Sequence, residues 1–325
     1  MIWQQAPRQA LGIFPTPLHP LDNLTARLAG PQIYIKRDDL SGLALGGNKV
    51  RKLEFLLGEA LQQHADCIIT AGAIQSNHCR QTAAAAAKLN LLCYLLLGGE
   101  APPLAQGNLL LDQLFGAKII WSGEQRKGEG IEALVASLRE QGKRPYVIPY
   151  GGSDPLGCLG FAAALAELQQ QGPVFDEIIF ASSSGATQAG LMLAKAALKL
   201  DTQLRGIHID KANHQPQHFT KSIAELANAA AERFALATRF SAEQVCLDDD
   251  YLGEGYAILG EAEREAMHLL ATSEAILLDP VYTAKAMAGL IARVRQGHYS
   301  PQQRILFWHT GGTPAVFAYA QALQS

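Results

Sequence analysis

Short apolar runs alternate with longer segments of helical period along the chain, a strand-helix rhythm that feeds parallel sheets. The runs predict strands over 33–36, 67–71, 91–97, 118–121, 146–149, 177–181, 203–209, 275–278 and 305–309. Between them, the 3.6-residue period predicts helices over 50–64, 80–88, 187–200 and 283–295. Leu53, Leu56, Leu57, Ala60 and Leu61 form one apolar stripe, and the alanines from Ala83 to Ala87 suit close packing on a sheet.

A charged fraction of 18% beside 48% hydrophobic residues excludes a disordered chain and argues for a large buried interior. Length, 325 residues, suggests two domains rather than one. With 27 basic against 30 acidic residues there is no electrostatic footprint for nucleic acid or anionic lipid. The expected partners are small molecules and other copies of the chain. Five cysteines, odd in number and without a CxxC pair, read as reduced thiols of a cytosolic protein with no metal site. The densest apolar stretch, 89–97, is interrupted by Asn90 and far short of the roughly 20 residues that span a bilayer, so a cytoplasmic protein without membrane contact is expected. Asp248, Asp249 and Asp250 read as a solvated turn rather than a metal site.

Candidate chemistry gathers where strands hand over to helices, the edge at which open α/β sheets bind ligands. Gly46-Gly47-Asn48-Lys49 permits a tight turn and puts Lys49 at a helix start, three residues from Lys52. The helix end and the second cation would both lower an ammonium pKa, as a Schiff-base lysine requires. By spacing alone the two also read as surface lysines. Gln75-Ser76-Asn77-His78 offers short polar side chains at another helix start, where Ser76 or Asn77 could equally be a cap. Ser182-Ser183-Ser184-Gly185-Ala186-Thr187 makes a nest sized for one phosphate, without the Gly-Lys of a P-loop or the spacing of a dinucleotide GxGxxG. Tyr282-Thr283 and His309-Thr310-Gly311-Gly312 each supply a hydroxyl after an apolar run. A lysine, a single-phosphate cup, a Ser-Asn loop and a strand-end hydroxyl together are the parts of a pyridoxal phosphate enzyme.

Gly46-Gly47-Asn48-Lys49-x-Arg51-Lys52-Leu53-Glu54, Gln75-Ser76-Asn77, Thr187-Gln188-Ala189-Gly190, Leu278-Asp279-Pro280-Val281-Tyr282 and His309-Thr310-Gly311-Gly312 resemble the 1-aminocyclopropane-1-carboxylate (ACC) deaminase and D-cysteine desulfhydrase family. The likeness runs from about Pro15 almost to the C-terminus. It implies an α/β protein of the tryptophan-synthase-β-like class (fold type II), with two mostly parallel open twisted sheets flanked by helices. The implied large domain combines 1–50 and 156–325, with a smaller domain, 51–155, inserted, pyridoxal phosphate between them, and a homodimer.

The resemblance implies that Lys49 is the Schiff-base lysine and that Asn77 holds the ring hydroxyl of the cofactor. It puts the phosphate on Ser184, Gly185, Ala186 and Thr187, and the pyridine nitrogen on Thr310 with Thr283 beside it. Ser76, with Gln75 and Asn77, would meet the substrate carboxylate, and Tyr256 and Tyr282 match two active-site tyrosines of the family. ACC deaminases have Glu where this chain has Thr283 and Leu where it has Thr310, whereas D-cysteine desulfhydrases resemble it at both. A glutamate near the pyridine nitrogen would favour the protonated ring, while a threonine hydroxyl leaves it neutral. The weaker electron sink suits loss of thiolate better than opening of a cyclopropane. The expected reaction is therefore α,β-elimination of D-cysteine to pyruvate, ammonia and hydrogen sulfide, with no metal. Alternatives are ACC ring opening, elimination from another β-substituted amino acid such as cysteate, and a degenerate pyridoxal-phosphate-binding protein without turnover.

Overall fold

The computed structural model describes residues 2–210 and 216–324. Its strands are β1 (Leu18–Pro20), β2 (Gln32–Arg37), β3 (Cys67–Ala73), β4 (Leu92–Gly98), β5 (Lys118–Trp121), β6 (Pro145–Val147), β7 (Glu177–Ser182), β8 (Gln203–His208), β9 (Leu247–Asp248) and β10 (Arg304–His309). The helices are α1 (Asp22–Leu28), α2 (Lys49–Gln62), α3 (Asn77–Lys88), α4 (Gly107–Leu114), α5 (Ile131–Glu140), α6 (Pro155–Gln171), α7 (Ala186–Leu198), α8 (Pro216–Arg233), α9 (Glu261–Glu274), α10 (Thr283–Arg295), α11 (Pro314–Ala318) and α12 (Ala320–Gln324).

Two sheets form. One runs β5-β4-β3-β6, all parallel; the other runs β1-β2-β10-β7-β8-β9 and is parallel except for its antiparallel edge β1. The four-stranded sheet lies within the stretch expected to be inserted, and the six-stranded sheet draws strands from both flanking stretches. We propose residues 51–155 as a domain in their own right, bounded within the first turns of α2 and α6; limited proteolysis of the whole chain, which should release a protected fragment of about this span, tests this. Central strands are apolar on both faces, as parallel strands covered by helices must be. Along β10, Leu306 and Trp308 join the core under α2, α6 and α7, whereas Ile305 and Phe307 join a second core under α1, α9 and α10.

Helix α6 joins the two parts. It opens on the Asp154 cap, whose carboxylate accepts from Leu156 N at 2.7 Å, and packs on both α2 and α7. The α2 crossing needs a glycine, because a Cβ on Gly160 would lie 2.4 Å from Arg51 O. At the same crossing Arg51 grips Asp38 through two hydrogen bonds of 2.8 Å and Glu167 through two of 3.0 Å. Trp308 donates to Asp38 at 2.9 Å, and Lys36 pairs with Glu167 at 2.5 Å. This buried network anchors the first turn of α2 to both β2 and α6.

Three expectations need correction. Residues 275–278 form no strand: Ala275 has φ 56° and ends α9, and the segment beyond pairs with no strand. Its alternation is real, with Ile276 and Leu278 buried and Leu277 at 51% exposure, but it reports packing on a core rather than pairing. The two edge strands β1 and β9, three and two residues long, carry too little apolar pattern to be read. Nor are the aspartates of 248–250 a plain solvated turn: Asp248 pairs with Arg293 at 3.3 Å and Asp249 with His208 at 2.8 Å.

Candidate active site

Loops leaving the C-terminal ends of β2, β3, β6, β7 and β10 converge on one cleft of about 610 Å³, its open mouth included. Asn48 and Lys49 follow β2; Ser76, Asn77 and His78 follow β3; Tyr150 and Gly151 follow β6. Ser182, Ser183, Ser184, Gly185 and Thr187 follow β7, Thr310 follows β10, and Tyr282 arrives just before α10. Residues scattered over more than 250 positions meet because parallel strands all release their loops at the same edge.

Lys49 and Lys52 both donate to Gly151 O, each at 3.2 Å. Lys49 is half-buried at the cleft, and its ammonium is lowered to about 8, chiefly by burial. Lys52 is pushed well below the ordinary lysine value too, by burial first and by Lys49 second. The expected depression of Lys49 is therefore present with a different cause: removal from water lowers it, while its interaction with Lys52 acts in the opposite direction. His78, whose Nε2 pairs with Thr70 Oγ1 at 2.9 Å, has its pKa lowered well below the ordinary imidazole value by burial and then by the two lysines.

Ser76 caps α3, its Oγ accepting from Cys79 N at 3.2 Å, so its own proton is free to point into the cleft. The serines after β7 wrap the N-terminus of α7, where unpaired N–H groups and the helix dipole favour an anion. Ser153 holds that loop from the far side, donating to Ser184 O at 2.6 Å. Thr310 O accepts from Asn48 N at 2.9 Å, tying the β10 loop to the start of α2.

Opposite these groups stand two tyrosines. Tyr256 and Tyr282 share a hydroxyl–hydroxyl hydrogen bond of 2.6 Å, and burial pushes both phenols well above their ordinary value. Asp279 shapes the Tyr282 turn by accepting from the backbone N–H groups of Val281, Tyr282 and Thr283. Lys285 holds the Tyr256 loop by donating to Leu252 O at 2.7 Å and Gly255 O at 2.9 Å, beside Glu263 at 3.4 Å.

Eight of the residues named from sequence line the cleft: Lys49, Ser76, Asn77, Ser184, Gly185, Thr187, Tyr282 and Thr310. Tyr256 reaches it through Tyr282, and Ala186 is buried in the first turn of α7. Gln75 turns away, donating to Gln106 O at 3.0 Å. The Thr283 hydroxyl is buried against Asp279 Oδ1 at 2.6 Å and does not face the cleft. Sequence reasoning missed Tyr150 and Arg126. Arg126 lies 4.1 Å from the Tyr256 ring, donates to Tyr150 at 3.3 Å and pairs with Asp210 at 2.9 Å. Neither sits in a recognisable pattern; Tyr150 is flagged only by the Gly151-Gly152 turn that follows it.

The cleft thus combines a reactive amine, an anion cup, a hydroxyl donor beside a helix N-terminus, and a phenol pair. Comparison with known proteins gives that chemistry a context. The chain is 43% identical over 322 residues to the D-cysteine desulfhydrase of Salmonella schwarzengrund, covering 96% of each, and equally identical over 324 residues to that of Salmonella choleraesuis. A solved ACC deaminase homologue superposes with a TM-score of 0.92 at 37% identity, over 99% of this chain and 97% of that one. Threonine deaminase isoform 2 of Solanum lycopersicum shares the fold, with a TM-score of 0.70 at 17% identity over 99% of this chain and 85% of that one. The model of the family described as pyridoxal-phosphate dependent enzyme matches residues 9–311, and the chain belongs to that family.

Proposed function

We propose that this protein is a carbon–sulfur lyase that converts D-cysteine and water to pyruvate, ammonia and hydrogen sulfide. The observation that carries the proposal is near full-length 43% identity to the Salmonella D-cysteine desulfhydrases, joined to a cleft with the matching chemistry. That cleft fits pyridoxal phosphate. Lys49 faces it with a lowered pKa, the β7 loop offers one anion cup, and bare backbone separates the two. A Cβ on Gly151 would lie 2.4 Å from Ser184 Oγ and 3.5 Å from Lys49 Nζ, filling that space.

In this proposal Lys49 Nζ links to the cofactor, Ser184, Gly185, Ala186 and Thr187 hold its phosphate, Asn77 its ring oxygen and Thr310 its ring nitrogen. Bound pyridoxal phosphate supplies an electron sink for the charge left when the α-C–H bond breaks. Ser76 donates its hydroxyl proton to the substrate carboxylate, aided by the N-terminus of α3. With substrate in place, Lys49 Nζ would take the α-proton; an amine near pKa 8 is a competent base at neutral pH. Lys52 beside it, its ammonium disfavoured by burial and by Lys49, shares the Gly151 carbonyl that holds Lys49. The Tyr256–Tyr282 pair, kept protonated by burial, delivers a proton to the departing sulfur.

Thr283 serves through Asp279, fixing the turn that aims Tyr282. We also propose a homodimer that works in the cytoplasm on a free amino acid. Leu104, Leu110, Leu114 and Ile120, left exposed around α4 and β5, are side chains that a second copy would cover, and light scattering tests the mass. Among the described residues no helix is long and apolar enough to cross a membrane. The functional test is sulfide release from D-cysteine by the purified enzyme with its cofactor. Lys49→Ala should lose both sulfide release and the visible absorption of lysine-linked cofactor; undiminished turnover in that variant contradicts the proposal.

A further inference from the structure

A buried amide on α4 meets the side chain of Asn77. Asn108 is fully buried at the second position of α4, with its own N–H bound to Gln75 Oε1 at 2.9 Å. Its side-chain nitrogen makes two contacts, 2.8 Å to Gln75 O and 2.9 Å to Asn77 Oδ1. The first contact fixes the second. A backbone carbonyl can only accept, so the end of the Asn108 amide that meets Gln75 O must be the NH2 group, and an amide NH2 can only donate. The Asn77 atom it also meets must therefore be the oxygen. The Asn77 nitrogen is left for the opposite side, where it lies against the Gly312 backbone so closely that a Cβ there would approach to 2.7 Å. The backbone carbonyl of Asn77 is held as well, by Gln81 Nε2 at 3.0 Å, while Gln81 Oε1 accepts from Val50 N, next to Lys49.

One atom is left over. Asn108 Oδ1 is buried without a hydrogen-bond partner, an arrangement that a core selected only for stability avoids. An apolar side chain would fill the same volume without an orphaned acceptor, but it would leave the Asn77 amide free to turn over.

We infer that Asn108 is a positioning residue. By donating to Asn77 Oδ1 it commits Asn77 to presenting an N–H donor, and so stabilises the ionised form of the cofactor's ring oxygen. Protein relays of this kind, behind the group that touches the ligand, are what hold a site in its productive geometry. The inference rests on the proposed role of Asn77 and adds a residue outside the cleft lining.

The test measures binding and spectrum rather than turnover. In Asn108→Asp the carboxylate cannot donate, and the Asn77 amide turns its nitrogen toward it, presenting oxygen to the cofactor. The expected result is at least a tenfold weaker affinity of the cofactor-free protein for pyridoxal phosphate, and an upward shift of about one unit in the pH midpoint of the bound cofactor's visible band. Asn108→Ala, which merely releases Asn77, should show a smaller change in the same direction and covers the case in which the aspartate variant fails to fold. Asn77→Ala separates the two layers. If it leaves affinity and spectrum unchanged, the reading of Asn77 is wrong and the relay falls with it. If Asn77→Ala weakens binding but neither Asn108 variant does, only the relay is wrong. The relay further requires that Asn108→Asp add nothing in an Asn77→Ala background, and an equal loss in both backgrounds overturns it.

Discussion

Replacing Tyr282 with Phe removes one hydroxyl and keeps the ring, so packing around the cleft is preserved. The hydroxyl lost is the one in the cleft lining, and it shares a 2.6 Å hydrogen bond with Tyr256. Stability should fall by about 1–3 kcal/mol, the usual cost of leaving a buried polar partner unpaired. The kinetic effect depends on the leaving group. General acid catalysis contributes about 10²- to 10⁴-fold. A thiolate, whose conjugate acid has a pKa near 8.5, needs only part of that help, which puts the expected loss in kcat/KM for D-cysteine near a hundredfold, or about 2.7 kcal/mol. Chloride departs without a proton, so β-chloro-D-alanine should be turned over within about threefold of the unaltered rate. Steady-state assays of pyruvate formation from both substrates, with the same enzyme preparation, measure the difference directly. An equal loss for the two substrates refutes the acid role and assigns Tyr282 to binding or orientation; no loss for either refutes it outright.

The Lys49 amine, lowered to about 8, must be unprotonated to react with a carbonyl, so cofactor uptake by the cofactor-free protein should quicken as pH rises through about 8 and level off above it, as followed by visible absorption. The same shift has a stability sign. Between about 8 and the ordinary lysine value of 10.5 the unfolded chain binds more protons than the folded one, so cofactor-free protein should gain stability with rising pH across that window and carry the full penalty below it. Thermal melts of cofactor-free protein at pH 7 and pH 10, compared with Lys49→Met, check this. Arg51→Met leaves buried Asp38 and partly buried Glu167 without their main cation and should cost about 3–5 kcal/mol in urea unfolding. Lys285→Met releases the carbonyls of Leu252 and Gly255 and unpairs Glu263; kcat for D-cysteine should drop with little change in cofactor affinity, because the loop it frees carries Tyr256 and none of the residues proposed to hold cofactor.

What could be read from the chain alone followed from local rules. Central parallel strands are covered on both faces, so β3, β4, β7 and β10 appear as apolar runs, and their glycine- or serine-rich exits mark the ligand edge. Lys49, Ser76 and the β7 cup belong to single loops, and each loop announces its own chemistry. The edge strands β1 and β9 are too short to carry a period, and 276–278 shows the alternation of a strand while packing unpaired on a core. The family resemblance puts Thr283 beside the cofactor, but its hydroxyl turns back to Asp279 at the start of α10. Arg126, Tyr150 and Asn108 went unread because their importance comes from partners 24 to 84 positions away, and no local pattern encodes those contacts.

Substrate choice is the most direct test of the proposed activity. Purified enzyme with its cofactor, assayed for keto-acid and sulfide release with D-cysteine, L-cysteine and ACC side by side, should yield pyruvate and sulfide in equal amounts from D-cysteine, with far lower kcat/KM for the other two. Keto acid from ACC at a rate comparable with that from D-cysteine, or a preference for L-cysteine, contradicts it.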